Sequence, residues 1–407
     1  MSRDRINFVF LNIGHFYDHL FMLIFATVAA LTLARGWNMS YAELIPYATP
    51  GFIAFGVCAI PAGWLADKWS REGMMVIFFV GIGLSAIATT LAQTPLQIGI
   101  GLFAIGLFAA IYHPVGIAMV VHGRDKTGFA LAVNGVFGNM GVACAALLTG
   151  FLLDASGWQS AFVLPGAVAV ATGVAYAVFV YVGRAAAAEP HSATARRKAS
   201  AGTHILERAT LMRVFAIIFF STAIGGLIFQ STTFALPKIF DERLPAMADT
   251  ATLVGWYAFI AFAVAAFAQL VVGYLVDHHS IRTVFAFVAA LQVLFFTLMQ
   301  ELSGPLALIV AIALMLVVFG QIPINDVLVG RITRSEWRSR VYAVRYIVTF
   351  SVMASAVPFI AWLHAYWSFA ALFRVMAIAA GATFLAVLLL PRTGAVTGDT
   401  PDTAAAE

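Results

Sequence analysis

The chain has 407 residues, of which 62% are hydrophobic and only 10% are charged, and its net charge is +4. This composition excludes an ordinary soluble domain, in which about 25% of residues are charged. Apolar runs long enough to cross a hydrocarbon core of about 30 Å recur along the chain. Cys58 and Cys144 both fall inside such runs, which argues against a disulfide framework and against a metal–thiolate site. We therefore expect an all-α membrane protein.

Turn and charge signals between the apolar runs predict twelve transmembrane helices in two sets of six. The first set lies near residues 6–34, 41–66, 74–92, 96–121, 127–153 and 159–182. The second set lies near residues 210–237, 251–276, 282–300, 305–331, 339–364 and 367–390. We expect an N-terminal bundle over 1–182, a cytoplasmic linker over 183–209, a C-terminal bundle over 210–392 and a disordered tail over 393–407.

The distribution of Lys and Arg predicts the orientation in the membrane. If both termini are cytoplasmic, only Arg35, Lys238 and Arg243 lie in or next to outer loops, and most other basic residues fall in inner loops. This asymmetry follows the positive-inside rule, so we expect a multi-pass protein of the cell's inner membrane with cytoplasmic termini. It also explains the positive net charge without a nucleic-acid partner.

The two halves repeat. Gly63-Trp64-Leu65-Ala66-Asp67 closes the second predicted helix, and Gly273-Tyr274-Leu275-Val276-Asp277 closes the eighth, 210 residues later. Arg124 and Arg334 follow the fourth and tenth helices at the same offset. Two signals with one offset indicate a duplication, and paired six-helix halves around a central site are typical of secondary transporters.

The loop Gly63-Trp64-Leu65-Ala66-Asp67-Lys68-Trp69-Ser70-Arg71 resembles the signature between helices two and three of the major facilitator superfamily. A weaker copy ends in Asp277 and Arg282. The resemblance implies two six-helix bundles that rock around a midplane cavity and carry a small molecule, with no enzymatic activity and no cofactor.

The fourth and fifth helices narrow the resemblance. Gly106–Pro114, with its Tyr112-His113-Pro114 ending, and the glycine-rich run Gly135–Gly141 are similar to the fosmidomycin-resistance family of efflux proteins. That resemblance implies export. Val115 stands where this family leads us to expect a glutamate, and Leu102 stands where many proton-coupled members carry an arginine. Other residues must then bind any coupling proton.

The first helix supplies the leading candidates for that role. His15, Asp18 and His19 fall within about a third of a helical turn, and ionisable groups at membrane depth usually face a cavity. Histidine titrates near neutral pH, so the three could hold and release a proton. The alternative is a structural polar cluster. His113, beside the helix-breaking Pro114, has the same two interpretations: a cavity residue or a packing histidine.

Arg345 is a basic residue well inside the eleventh predicted helix. Its planar guanidinium suits a carboxylate or phosphate, which favours an anionic substrate. The alternative is a permanent ion pair with Asp18 or Asp326. The full set of predicted substrate- and proton-binding residues is His15, Asp18, His19, His113, Asn134, Gln230, Tyr342 and Arg345.

Charged residues near the predicted inner ends of helices are candidates for gates. We expect Asp67 to act with Arg71 and Asp277 with Arg282. Asn325 and Asp326 could line the cavity or latch the inner gate against Arg331 or Arg334, and we favour the gate because these charges lie close to the predicted interface. The polar run Gln230–Thr233 is expected to interrupt the seventh helix. The full set of predicted gate residues is Asp67, Arg71, Arg124, Asp277, Arg282, Asn325, Asp326 and Arg334.

These patterns predict a monomeric secondary transporter that exports a small anionic or polar compound in exchange for protons. Proton-coupled uptake of a carboxylate is an alternative. A second alternative is transport of a divalent metal ion or chelate through His15, Asp18, His19 and His113, since imidazole and carboxylate are common metal ligands. Arg345 in the same cavity would repel a bare cation. An enzyme or sensor is disfavoured, because the chain has no nucleophile elbow, phosphate-binding glycine loop or soluble domain.

Overall fold

The computed structural model describes residues 2–124, 127–186, 208–333 and 335–391, which leaves the predicted tail and most of the predicted linker outside the described residues. Within this part of the chain, twelve helices are long and apolar enough to span a membrane. They are α1 Arg3–Gly36, α2 Tyr41–Lys68, α3 Arg71–Thr89, α4 Pro95–Val121, α5 Gly128–Ser156, α6 Trp158–Ala186, α7 Arg208–Arg243, α8 Ala251–His278, α9 Ile281–Leu298, α10 Gly304–Arg331, α11 Ser335–Tyr366 and α12 Phe369–Leu388. The predicted all-helical membrane fold is confirmed.

Side-chain caps set several helix starts. The third helix begins at Arg71, three residues before the predicted start, because the Ser70 hydroxyl accepts a hydrogen bond from the Gly73 amide at 3.0 Å. Such a cap satisfies one of the amide groups that the first helical turn leaves without a partner. Thr94 and Thr250 cap α4 and α8 in the same way.

The seventh helix is continuous, so the expected interruption at Gln230–Thr233 is wrong. The Thr232 hydroxyl donates to the Ile228 carbonyl at 2.8 Å, and the Thr233 hydroxyl donates to the Phe229 carbonyl at 2.7 Å. Threonine hydroxyls in membrane helices are satisfied in this way by the turn before them. The run therefore stays helical although it is polar.

The fourth helix contains a π-helical turn at Tyr112–Gly116. Pro114 lies in this turn and has no backbone amide to donate, so the regular hydrogen-bond ladder is disturbed around it. Turns of this kind are frequent at functional sites. The irregularity determines where the adjacent His113 side chain lies.

Each half is held together by contacts between its own helices, and the two halves also contact each other. In the first half α1 packs on α5, α3 on α6 and α2 on α4; in the second, α7 packs on α11, α8 on α10 and α9 on α12. The halves meet mainly where α5 contacts α8 and α2 contacts α11. Gly150 and Gly255 permit the first contact, because a Cβ at either position would overlap the backbone of the facing helix.

The halves close on one side of the membrane. We call the side of residues 2–5 and of the 68–71 loop the terminal side, and the opposite side the far side. On the far side, the Asp154 carboxylate at the end of α5 accepts from the Thr252 amide at 2.7 Å, and Arg35 contacts Asp241 at 3.3 Å. The Tyr41 ring also lies 5.4 Å from the His364 ring.

On the terminal side, the described residues show no contacts of this kind between the halves. The part of α2 from Thr49 to Val57 packs on α11, whereas among the described residues no comparable packing joins Ala59–Lys68 to the second half. The central cavity therefore opens toward the terminal side.

Candidate functional site

A cavity of about 290 Å³ lies between the two halves. Its polar lining from the first half comprises His15, His19, His113 and Asn139. Its polar lining from the second half comprises Thr222, Gln230, Thr233, Gln269, Gln321, Asn325, Asp326, Arg345, Tyr346 and Thr349. A central cavity lined by apolar walls and a few converging polar groups is the usual form of a small-molecule site.

Three histidines form a cluster on the first-half wall. His15 and His19 stand one turn apart on α1, and the π-helical turn of α4 brings His113 beside them. The ring centroids lie 5.1 Å apart for His15 and His19, 5.5 Å for His15 and His113, and 5.7 Å for His19 and His113. One nitrogen from each ring lies within 4.8 Å of the other two. The sequence spacing placed the first two on one face but could not locate the third.

His15 is held in a fixed orientation. Its Nδ1 lies 2.7 Å from the Asn134 carbonyl oxygen, which can only accept, so Nδ1 carries the hydrogen. The Asn134 side chain donates to Asn12 at 3.0 Å and to the Tyr112 hydroxyl at 2.8 Å. The Tyr112 ring stacks on His15 with centroids 4.8 Å apart. Asn134, which we predicted to bind substrate, therefore lies behind the cavity wall and supports His15.

Asp18 also lies behind the wall. It is fully buried and does not line the cavity, in contrast to its predicted position on the cavity face. At about 100° per residue, Asp18 is displaced about 60° from His15 in the direction opposite to His19, so it turns toward α4. There, Asp18 Oδ2 lies 3.2 Å from His113 Nε2. The structure thus makes Asp18 a neighbour of His113.

Arg345 forms an ion pair with Asp326 on the second-half wall. Of the two partners considered for Arg345, the structure selects Asp326. The Arg345 side chain is 9% exposed, whereas the Asp326 side chain is 43% exposed, so the carboxylate is the part that the cavity water reaches. Both groups come from the same half, which keeps this anion-suited cation in place when the halves move.

Asn325 and Asp326 line the cavity, which was the less favoured of their two expected positions, and the preference for the inner gate is corrected. The Asn325 Oδ1 accepts from the Ser221 hydroxyl at 2.9 Å. The predicted latch to Arg331 is also wrong: Arg331 contacts Asp277 at 3.2 Å. Helix α10 ends at Arg331, as predicted, and residues 325 and 326 lie more than one helical turn before that end.

The remaining gate candidates lie on the terminal side. Arg71 contacts Asp67 at 2.8 Å, as its spacing predicted, whereas Asp277 contacts Arg331 and not the predicted Arg282. The Arg124 guanidinium lies over the Phe8 ring at 4.7 Å. Arg334 and the side chain of Tyr342 lie outside the described residues.

Sequence reasoning missed several cavity residues. Asn139 lies within the glycine-rich run of α5, and a polar side chain in an otherwise apolar helix is a signal that could have identified it. Phe55 and Phe350 stack edge to face with centroids 5.1 Å apart, and both also approach the His113 ring. Aromatic residues in an apolar helix carry no signal that separates a cavity wall from a packed core.

Comparison with known proteins identifies the family. Residues 11–248 and 244–406 match the Major Facilitator Superfamily. The chain belongs to this superfamily. It is therefore a multi-pass membrane protein of a transporter superfamily. The narrower resemblance to the fosmidomycin-resistance family stays a prediction.

Curated superfamily relatives are distant. A probable actinorhodin transporter of Streptomyces coelicolor is 29% identical over 140 residues, which is 32% of this chain and 24% of the relative. A gallate transporter of Pseudomonas putida is 23% identical over 139 residues, which is 34% of this chain and 31% of the relative. The chain thus matches about a quarter to a third of the length of these two relatives.

Solved structures of other transporters share the fold over nearly the whole chain. A bacterial homologue of the human lysosomal transporter Spinster, inward-facing and unoccupied, has a TM-score of 0.71 at 13% identity and covers 96% of this chain and 98% of its own. A D-xylose–proton symporter also has a TM-score of 0.71, at 12% identity, with 96% and 98% covered. At these identities the likeness shows the fold alone.

Proposed function

We propose that this superfamily member transports a small organic anion by alternating access, with Arg345 as the group that binds the anion. The observation that carries this proposal is the Arg345–Asp326 ion pair on the cavity wall. A guanidinium that already pairs with a carboxylate through Nη2 has the chemistry needed to bind the carboxylate or phosphate of an incoming anion. The incoming anion would replace Asp326 on Arg345.

The names of the relatives support an anionic substrate class. Besides the gallate transporter, they include a probable sulfoacetate transporter of Cupriavidus necator and a niacin transporter of Acinetobacter baylyi. Gallate and sulfoacetate are small organic anions at neutral pH. A cavity of about 290 Å³ suits molecules of this size.

Coupling to protons follows from the same exchange. When the anion takes the guanidinium, the Asp326 carboxylate loses its ion pair with Arg345, and the loss of that pair in a cavity between apolar helices favours the protonated form. Anion and proton then bind together and move in the same direction, which is symport. The other titratable groups described on the cavity wall are Tyr346 of the same half and His15, His19 and His113 of the opposite half.

The sign of this linkage favours the uptake alternative over export. Export in exchange for protons, which the efflux resemblance implies, needs anion and proton to exclude each other. The Arg345–Asp326 exchange makes each promote the binding of the other instead. We also propose that the protein is a monomer in the inner membrane with cytoplasmic termini, as the Lys and Arg distribution predicts. The terminal side of the cavity would then face the cytoplasm.

A flux experiment with purified protein in liposomes tests this proposal. Gallate, sulfoacetate and nicotinate are the probes, and an acidic exterior should drive at least one of them inward together with protons detected by an internal pH dye. Arg345→Gln should abolish this flux. Arg374→Gln should preserve it, because Arg374 is exposed on α12 and contacts Gln300 away from the cavity. Movement of the anion against the proton would contradict symport and restore the export alternative.

A further inference from the structure

The histidine cluster has the bonding pattern of metal ligands. His15 donates through Nδ1 to the Asn134 carbonyl, and its Nε2 is buried without a hydrogen-bond partner among the described residues. Histidines that bind metals almost always donate their other ring N–H to a carbonyl or carboxylate, which fixes the ring and raises its basicity. The Nε2 lone pair of His15 is therefore available to a cation.

His113 has a carboxylate at ion-pair distance in place of the hydrogen-bonded carbonyl of His15. Its Nε2 lies 3.2 Å from Asp18 Oδ2, and its Nδ1 is buried with no hydrogen-bond partner in the described part of the chain. A buried polar atom without a partner is costly and usually indicates a missing ligand or a functional role. Two of the three rings thus present an unused nitrogen while their other nitrogen meets an oxygen.

We propose that His15, His19 and His113 bind a divalent transition-metal ion of the Zn²⁺, Co²⁺ or Ni²⁺ class. Imidazole suits these ions, and three protein ligands leave a fourth position open to the cavity. Asp18, which the sequence included among the ligands, is instead the carboxylate that orients His113 from behind. The Asn134 carbonyl orients His15 in the same way.

The spacing of the rings requires only a small adjustment. Metal–nitrogen bonds of about 2.0–2.1 Å in a tetrahedron place the ligand nitrogens about 3.3 Å apart, and those of the cluster lie within 4.8 Å of one another. His19 is partly exposed to the cavity and can rotate toward the other two. A bound ion would join α1 to the π-helical turn of α4.

The local charges remove the objection that Arg345 would repel a cation. Arg345 is paired with Asp326, and the buried Asp18 carboxyl lies directly behind His113. Charges in a low-dielectric site act strongly over short distances, so the Asp326 carboxylate offsets much of the Arg345 charge that a bound cation would meet. In the proposed anion transporter, on which this role rests, a carboxylate oxygen of the substrate would occupy the open position.

Titration of the full-length protein in detergent with Zn²⁺ alone tests the site. We expect one equivalent to bind by calorimetry, and Co²⁺ to give the visible absorption of a four-coordinate site. His19→Ala and His113→Ala should weaken Zn²⁺ binding by more than tenfold. His278→Ala is the matched control, because His278 is exposed at the end of α8, and it should bind as the parent does. No stoichiometric binding, or equal binding by all variants, would overturn the proposal.

Two further measurements distinguish the loss of a Zn²⁺ ligand from misfolding of the variant and from failure of the anion proposal. Melting temperatures without metal must agree between His19→Ala and the parent, since truncating a partly exposed side chain at the cavity removes little packing. Arg345→Gln should keep Zn²⁺ binding while it loses anion binding. Arg345-dependent anion binding without Zn²⁺ binding would overturn the metal site alone. Zn²⁺ binding without any anion binding would support the metal site and contradict the anion proposal.

Discussion

Replacing Asp326 with asparagine should strengthen anion binding, because it removes the negative charge that competes for Arg345. Exposed ion pairs contribute about 0.2–1 kcal/mol, and close charge pairs that are desolvated contribute about 2 kcal/mol or more. The Arg345 side chain is 9% exposed and that of Asp326 is 43% exposed, which places this pair between the two classes. A gain of about 1.4 kcal/mol corresponds to about tenfold tighter binding.

Calorimetric titration of one anion at several pH values measures both the affinity gained by Asp326→Asn and the pH dependence of binding. In the parent protein the affinity should rise as the pH falls, since protonation of Asp326 releases Arg345 for the anion. Asp326→Asn should bind tightly at every pH, because its amide does not titrate. Asp277→Asn is the control, since Asp277 pairs with Arg331 outside the cavity. Equal or weaker binding by Asp326→Asn, or an unchanged pH slope, would refute the reasoning.

Three further predictions concern gating and stability. Asp154→Ala removes the hydrogen bond by which Asp154 caps α8, which costs about 1 kcal/mol. Spin labels on the far ends of α5 and α8 should then show a several-fold larger population of the conformation that is open on the far side. Gly150→Leu should abolish liposome flux without loss of folding, because its side chain would overlap the backbone at Ala251; unimpaired flux would contradict this gate. Asn134→Ala leaves the buried side-chain oxygen Oδ1 of Asn12 without its donor, which costs about 1–3 kcal/mol. Calorimetry should show a lower melting temperature, and an unchanged one would count against the network.

The fold could be predicted from the sequence because the patterns that indicate it are local. Apolar runs of membrane length are separated by charged turns, and the paired motifs ending at Asp67 and Asp277 show the duplication. Helix ends were less predictable, since they depend on caps such as that of Ser70. The continuity of α7 through Thr232 depends on back-bonding of a hydroxyl, which a polar run does not reveal.

Only part of the candidate site could be predicted from the sequence. Helical spacing correctly indicated that His15 and His19 share a face, and both line the cavity. It did not show that Asp18, one residue before His19, turns behind the wall. Asp326 looked like a gate residue because it lies close in sequence to basic loop residues. Its pairing with Arg345 depends on how α10 packs beside α11, which no local pattern reports.

The Arg345 guanidinium is the centre of this account, and its contribution to binding is the most direct test. Gallate, sulfoacetate and nicotinate should be titrated calorimetrically into the parent, Arg345→Gln and Arg374→Gln at one pH. We predict that at least one of these anions binds the parent and Arg374→Gln with equal affinity and that Arg345→Gln binds it at least tenfold more weakly. Equal affinity of Arg345→Gln and the parent would contradict an anion site at Arg345.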